Sequence, residues 1–171
     1  MLKLRELERK DLKIINEWRN DPNLISFLGA PFRFINIEVD EKWFDTYMAN
    51  RAVNVRCAIV DDSDDIIKGV VSLNSIDFLN QSAELNIMIG DEDNCGKGIG
   101  TFAVNEILKH AFKNMNLIRV YLAALEENSR ARHLYEKVGF VQEGILRKSN
   151  FKNGRFVNMV MYSILREEFD L

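Results

Sequence analysis

Ala83-Glu84-Leu85-Asn86-Ile87-Met88-Ile89-Gly90, followed after four polar residues by Cys95-Gly96-Lys97-Gly98-Ile99-Gly100-Thr101, is the stretch on which the reading of this chain turns. Ala83, Leu85, Ile87 and Ile89 alternate with Glu84, Asn86 and Met88, which predicts a strand with two differently lined faces, closed by Gly90. Beyond the loop, Ile99, Phe102, Ala103, Ile107, Ala111 and Phe112 recur at helical intervals. Three glycines thus stand between a strand and a helix, where backbone N–H groups and the positive helix end can hold a phosphate or pyrophosphate. A dinucleotide site wants GxGxxG after the first strand of a βαβ series, and an NTP loop wants GxxxxGK followed by Ser or Thr. The GxGxG found here, after a long antiparallel stretch, fits neither. A plain glycine turn remains the competing reading.

Working outward, Leu117 to Leu125 reads as a short apolar strand, and Asn128 caps a helix with Ala131, Leu134, Tyr135 and Val138 along one side, stopped by Gly139. Phe140 to Phe151 and Phe156 to Ile164 read as strands joined by Lys152-Asn153-Gly154-Arg155, whose Asn-Gly pair favours a tight hairpin. Toward the N-terminus, Leu2 and Leu4 open a strand, and Asp11 to Asn20 carries Leu12, Ile15 and Trp18 at helical spacing. Asn20-Asp21-Pro22-Asn23 reads as a turn, and Ile25 to Val39 as an irregular loop. A helix from Asp40 to Asn50 puts Trp43, Phe44, Tyr47 and Met48 on one face, a stripe that reads first as core. Strands from Val53 to Val60 and from Ile66 to Phe78 then flank an acidic turn, Asp61 to Asp65. The pattern is a mixed α/β domain, mostly antiparallel, with one strand-helix-strand crossover near its middle. With no Pro/Gly/Ser-rich divider and no internal repeat, residues 1–171 read as one domain.

The composition sets the outer limits. With 47% hydrophobic and 29% charged residues among 171, the chain can bury a sizeable core. A formal charge of -3 leaves no basic surplus for a phosphate backbone, so nucleic acid is not an expected partner. No apolar run approaches the roughly 20 residues that span a bilayer, and the charged start carries no export signal, so no membrane partner is expected and a cytoplasmic location is. Cys57 and Cys95, far apart and outside any CxxC pair, fit a reducing compartment. The acidic turn lacks the glycine and terminal glutamate of a calcium loop, and no His/Cys cluster suggests another metal. Ser129 and His133, four apart on a helix, have no acid to complete a triad.

Asn128-Ser129-Arg130-Ala131-Arg132-His133-Leu134-Tyr135-Glu136-Lys137-Val138-Gly139-Phe140 adds a second signature one strand beyond the glycines. Together the two stretches resemble the GNAT acyltransferase family. The first resembles its (Q/R)xxGx(G/A) acetyl-CoA loop, and the second its N-x-x-A-x-x-L-Y-x-x-x-G-F helix and strand. Trp18-Arg19-Asn20, Gly144-Ile145-Leu146-Arg147 and Asn153-Gly154-Arg155 are similar to the subgroup containing ribosomal-protein N-terminal and spermidine acetyltransferases. The resemblance implies a GNAT fold, an α/β architecture whose mostly antiparallel sheet is splayed between the fourth and fifth strands and flanked by helices. It also implies acetyl-CoA as cosubstrate and direct transfer of acetyl to an amine.

By the same resemblance Ile87, Met88 and Ile89 would offer backbone pairing to the pantetheine arm, and Cys95, Gly96, Lys97, Gly98, Ile99, Gly100 and Thr101 would hold the pyrophosphate. Cys95 stands where the family usually has Gln or Arg, leaving the backbone and Lys97 to serve. Direct transfer needs a base, an oxyanion donor and an acid for the departing thiolate. Tyr135 is the acid candidate near the cofactor sulfur, against a reading as plain packing beside Ala131, Leu134 and Val138. Glu84 is the base candidate, since alternation turns it with Asn86 away from Leu85, Ile87 and Ile89; its bland reading is a solvated strand carboxylate. Asn128 is a candidate for both capping its helix and bonding the cofactor.

The expected partner is a small-molecule or peptide amine. Its pocket should be walled by Ile25 to Val39 and the following helix, with Phe32 and Trp43 as apolar walls and Glu38 and Glu84 as acids. With Glu38 the one acid in that segment, a protein N-terminus or amino sugar ranks above a polycationic polyamine. The rival from another class is a non-catalytic CoA-binding module, which retention of both Tyr135 and Glu84 speaks against. The apolar closing strands leave room for a homodimer.

Overall fold

The computed structural model of the chain describes residues 1–170 except 92, 93 and 95. Its strands are β1 (Leu2–Glu6), β2 (Val55–Asp61), β3 (Ile67–Asp77), β4 (Ser82–Ile89), β5 (Arg119–Leu125), β6 (Val141–Lys152) and β7 (Arg155–Leu165). They form a seven-stranded sheet in the order β1-β2-β3-β4-β5-β7-β6. All neighbours are antiparallel except β4 and β5, which the crossover makes parallel. The helices are α1 (Leu12–Arg19), α2 (Pro22–Ser26), α3 (Ile37–Ala49), α4 (Ile99–Lys109) and α5 (Ser129–Val138).

Strand alternation divides the core between the two faces of the sheet. Ala58 and Val60 of β2 pack with Leu12, Ile15 and Trp18 of α1 and with Phe44 and Tyr47 of α3. Ile59, on the other face, joins Val71, Leu73, Leu85 and the buried side of α4, namely Ile99, Ala103, Val104, Ile107 and Leu108. Trp18 closes the first cluster against Gly90, where an added Cβ would stand 2.0 Å from the indole. Gly90 is therefore needed for side-chain clearance, beyond ending the strand.

Two local readings are corrected. Asn20-Asp21-Pro22-Asn23 opens a short helix rather than a turn. Asp21 accepts from the Asn23 and Leu24 amides as N-cap and Pro22 takes the first helical position, where its missing N–H costs nothing. The supposed loop Ile25 to Val39 is thus helical at both ends, because Asn36 caps α3 by accepting from the Glu38 amide and starts it at Ile37 rather than Asp40. Of the expected apolar stripe, Phe44 and Tyr47 are buried, Trp43 is half-buried and Met48 is exposed. The acidic turn binds cations of the chain: Asp62 pairs with Lys3, and Asp65 with Arg5 and Lys10. After α4 the chain widens into a π turn over His110–Asn114, which keeps both Ala111 and Phe112 buried. The Asn153-Gly154 turn has φ of 49° and 80°, the paired left-handed conformation that Asn-Gly favours in a two-residue hairpin.

No helix among the described residues is long and apolar enough to cross a membrane.

Candidate active site

β4 and β5 pair only at Ser82↔Arg119, Ala83↔Val120 and Glu84↔Tyr121. β4 then continues to Ile89 along β3, and β5 continues to Leu125 along β7, so the two strands part after Glu84. The backbone of Leu85–Ile89 on the β5 side is left without a strand partner, and such an edge seeks hydrogen bonds. Ile87, Met88 and Ile89 lie on this edge, where a bound chain could take the place of a strand.

The two candidate proton-handling groups lie on opposite faces of the sheet, Glu84 at the point where β4 and β5 part. Glu84 is half-buried on the face carrying Asn86, Met88 and α1, and forms no ion pair among the described residues. Tyr135 is buried on the other face, in the cluster with Leu85 and α4. Its ring stands 5.7 Å from Phe140, edge-on, and 6.2 Å from Tyr162. Burial pushes the Tyr135 phenol up to about 12. Its hydroxyl makes no hydrogen bond to a described residue, so its proton is available to a ligand. Packing and proton donation are thus compatible at this residue: the ring fills the core while the hydroxyl is uncommitted.

At the open end of the gap, Gly98 caps α4 with φ 78° and Gly96 has φ 77°. Both are left-handed conformations that cost a Cβ-bearing residue energy. An added Cβ at either position would meet nothing within 4 Å. Together with the first amides of α4, at Ile99, Gly100 and Thr101, this open glycine cradle fits the approach of a pyrophosphate. Gly100 has a different duty: an added Cβ there would stand 2.5 Å from Leu134, so it lets α5 pack on α4. Ile99 is buried in the core and Lys97 is exposed, so Ile99 can offer the ligand its backbone amide and Lys97 its charge. Cys95 lies outside the described residues.

Asn128 caps α5 as expected, its Oδ1 accepting from Ala131. Its Nδ2 donates 2.9 Å to the Phe27 carbonyl, so the amide ties a distant loop to the helix. That loop runs between α2 and α3. Phe32 within it stacks edge-on with Phe34 and lines a cavity of about 280 Å³ with Pro31, Phe151, Lys152 and Asn153. Glu38 and Trp43 do not line this cavity. Glu38 is exposed in the first turn of α3, and Trp43 lies under the Arg56 guanidinium, 4.5 Å from ring to charge, over β2. The four substrate candidates are therefore not brought into one pocket: Phe32 is at the hairpin tip, Glu38 on the exposed first turn of α3, Trp43 over β2 and Glu84 at the strand gap.

Sequence reasoning missed Tyr121, Lys152 and Asp40. Tyr121 opposes Glu84 across the parallel pair, a relation fixed only by register. Asp40 is fully buried, paired with Arg19 and accepting from Asn16 at 2.7 Å, a cross-helix tie that no local pattern announces. Lys152 is discussed below.

The family described as the GNAT acetyltransferase domain matches residues 1–141. A spermidine N(1)-acetyltransferase of Vibrio cholerae is 34% identical over 169 residues, covering 98% of this chain and 95% of that protein. A ribosomal-protein-serine acetyltransferase of Escherichia coli is 28% identical over 100 residues, 58% of this chain and 55% of that one. The crystal structure of spermidine N-acetyltransferase from Vibrio cholerae in complex with CoA and spermine superposes with a TM-score of 0.91 at 32% identity, covering 98% of this chain and 96% of that one.

Proposed function

Because the chain belongs to the GNAT acetyltransferase family and uses acetyl-CoA as its cosubstrate, we propose that it transfers acetyl to a primary amine of a polyamine, with Glu84 and Tyr135 as its base and acid. The observation that supports this chemistry is the parting of β4 and β5 at Glu84, with Tyr135 in the core cluster on the opposite face of the sheet. Acetyl-CoA supplies an activated acyl group as a thioester. A primary amine of ordinary basicity, with pKa of about 10, is protonated at neutral pH and must lose a proton before it attacks. Glu84 receives that proton, directly or through one water, on the α1 face. Backbone amides along the free edge of β4 bond the oxygen that becomes negative as the amine adds. As the C–S bond breaks, Tyr135, still protonated far above neutral pH, gives its proton to the leaving thiolate on the α4 face, and the second proton of the acylated nitrogen passes through water to restore the phenol. The glycine cradle and the first turn of α4 bind the pyrophosphate.

The acceptor reading reverses the ranking that the sequence alone suggests. Similarity over nearly the whole chain to a spermidine acetyltransferase favours a polyamine over a peptide N-terminus or amino sugar. One observation keeps the second reading: residues 27–34 contain no acid and include Arg33, and Lys152 is buried beside them, which suits a less cationic acceptor body. Thiol release from acetyl-CoA, measured with spermidine, spermine, an amino sugar and a short peptide, tests both readings. A specificity constant highest for the polyamines is expected. If the amino sugar or peptide is best and polyamines are near background, the polyamine reading falls and acetyl transfer stands.

A further inference from the structure

Lys152, the last residue of β6, is only 7% exposed. A buried ammonium is costly unless its protons are taken up, and no carboxylate pairs with it among the described residues. Its partners are two backbone carbonyls of one short segment, Ile25 at 2.8 Å and Ala30 at 2.7 Å. One charge thereby draws both ends of the segment from the close of α2 to the start of the loop onto the β6–β7 hairpin. Neighbouring side chains act in the same direction: Asn150 donates to the Gly29 carbonyl at 2.9 Å and Asn128 to that of Phe27. The far end of the loop is held separately, where Asn20 both donates to and accepts from Ile35 and Asn16 donates to its carbonyl. Between these anchors, Phe32 lines the cavity that Lys152 also lines.

We propose that Lys152 is a positioning residue for the amine: by gathering the Ile25 and Ala30 carbonyls it fastens the α2–α3 loop to the β6–β7 hairpin in the conformation that receives the acceptor. This rests on the reading of that loop as the acceptor wall. Charge-assisted hydrogen bonds are stronger than neutral ones, and two from one ammonium fix the segment at both ends where Asn150 and Asn128 each fix one point. Burial lowers the Lys152 pKa from its ordinary value, as expected for a cation whose only compensation is neutral dipoles.

The test compares wild type, Lys152→Met and Lys152→Arg by steady-state kinetics and by hydrogen exchange of the amides in residues 25–35, with spermidine or the best amine of the panel as acceptor. Met keeps the stem and removes the donors; Arg restores a cation that can span two carbonyls. Lys152→Met should raise the acceptor KM by roughly tenfold, the loss of about one charge-assisted hydrogen bond. The KM for acetyl-CoA should hold and kcat should stay within about twofold, exchange in 25–35 should accelerate, and Arg should recover most of the loss. Unchanged exchange overturns the fastening. Faster exchange with an unchanged acceptor KM overturns the acceptor role of the loop, and a parallel loss in both substrates' kinetics reduces Lys152 to a stability residue. Exchange needs no acceptor, so it judges the fastening even if no amine is acetylated. Should Lys152→Met not fold, Asn150→Leu, which cuts the adjacent tie to Gly29, is expected to give the same pattern at smaller size, and its absence counts against the proposal equally.

Discussion

Glu84 and Tyr121 are the last residues that β4 and β5 share before the two strands part. A carboxylate at the apex of such an opening, rather than in the body of a sheet, is followed by backbone that has no strand partner on the β5 side. Tyr135 stands across the sheet from it, in the core under α4.

Tyr135→Phe keeps the ring contacts with Phe140 and Tyr162 and deletes the one proton donor. Turnover should fall by roughly 10²- to 10⁴-fold if the phenol is the general acid. Melting temperature should hardly move, since the hydroxyl has no partner among the described residues. Wild-type turnover would return Tyr135 to packing alone.

Glu84→Gln keeps the size and removes the basicity. Turnover should drop at neutral pH and recover in part as the pH rises and more acceptor amine is already neutral. A pH profile parallel to that of wild type would make Glu84 a bystander.

Gly98→Val places a β-branched residue at φ 78°, a conformation L-residues rarely adopt, and fills space otherwise open above the first turn of α4. Acetyl-CoA affinity measured by calorimetry should be lost in a protein that circular dichroism shows to be folded. Gly100→Val should act differently, lowering stability through the clash with Leu134. Unchanged affinity in Gly98→Val would remove this cradle from the site.

Alkaline pH should unfold the protein through its buried phenols. Burial raises Tyr135 to about 12, and burial with the hydrogen bond to Glu6 raises Tyr47 to about 12. A folded pKa above the unfolded value of about 10 means the stabilisation is whole below pH 10 and is lost as pH climbs from there toward 12. Melting temperature recorded from pH 8 to pH 12 should decline across that window, and the decline should be shallower in Tyr135→Phe. A flat profile would show that neither phenol is desolvated.

Much of the architecture is written locally. Alternation at Ala83 to Ile89, the apolar spacing of α4 and the Asn-Gly turn after Lys152 each specify their element through periods of two or 3.6 residues or through a required left-handed turn, which neighbours in sequence suffice to encode. Asn128 was legible as a cap because its spacing to Ala131 and Gly139 lies within one helix, whereas spacing alone read Tyr135 as packing and only the family resemblance made it a candidate acid. Asp21-Pro22 and Asn36 were legible in principle too, as cap signals inside a stretch whose apolar residues have no period. What only the tertiary structure decided is which elements meet. Register ended the β4–β5 pairing at Glu84 and Tyr121, packing put Trp43 under Arg56 instead of at the acceptor cavity, and the hairpin carried Lys152 to the carbonyls of Ile25 and Ala30, 127 and 122 positions earlier in the chain. A lysine flanked by a phenylalanine and a turn reads as exposed because burial of a cation is unfavourable in isolation. It became favourable here because a distant loop supplied the carbonyls, and such long-range compensation leaves no periodic trace in the sequence.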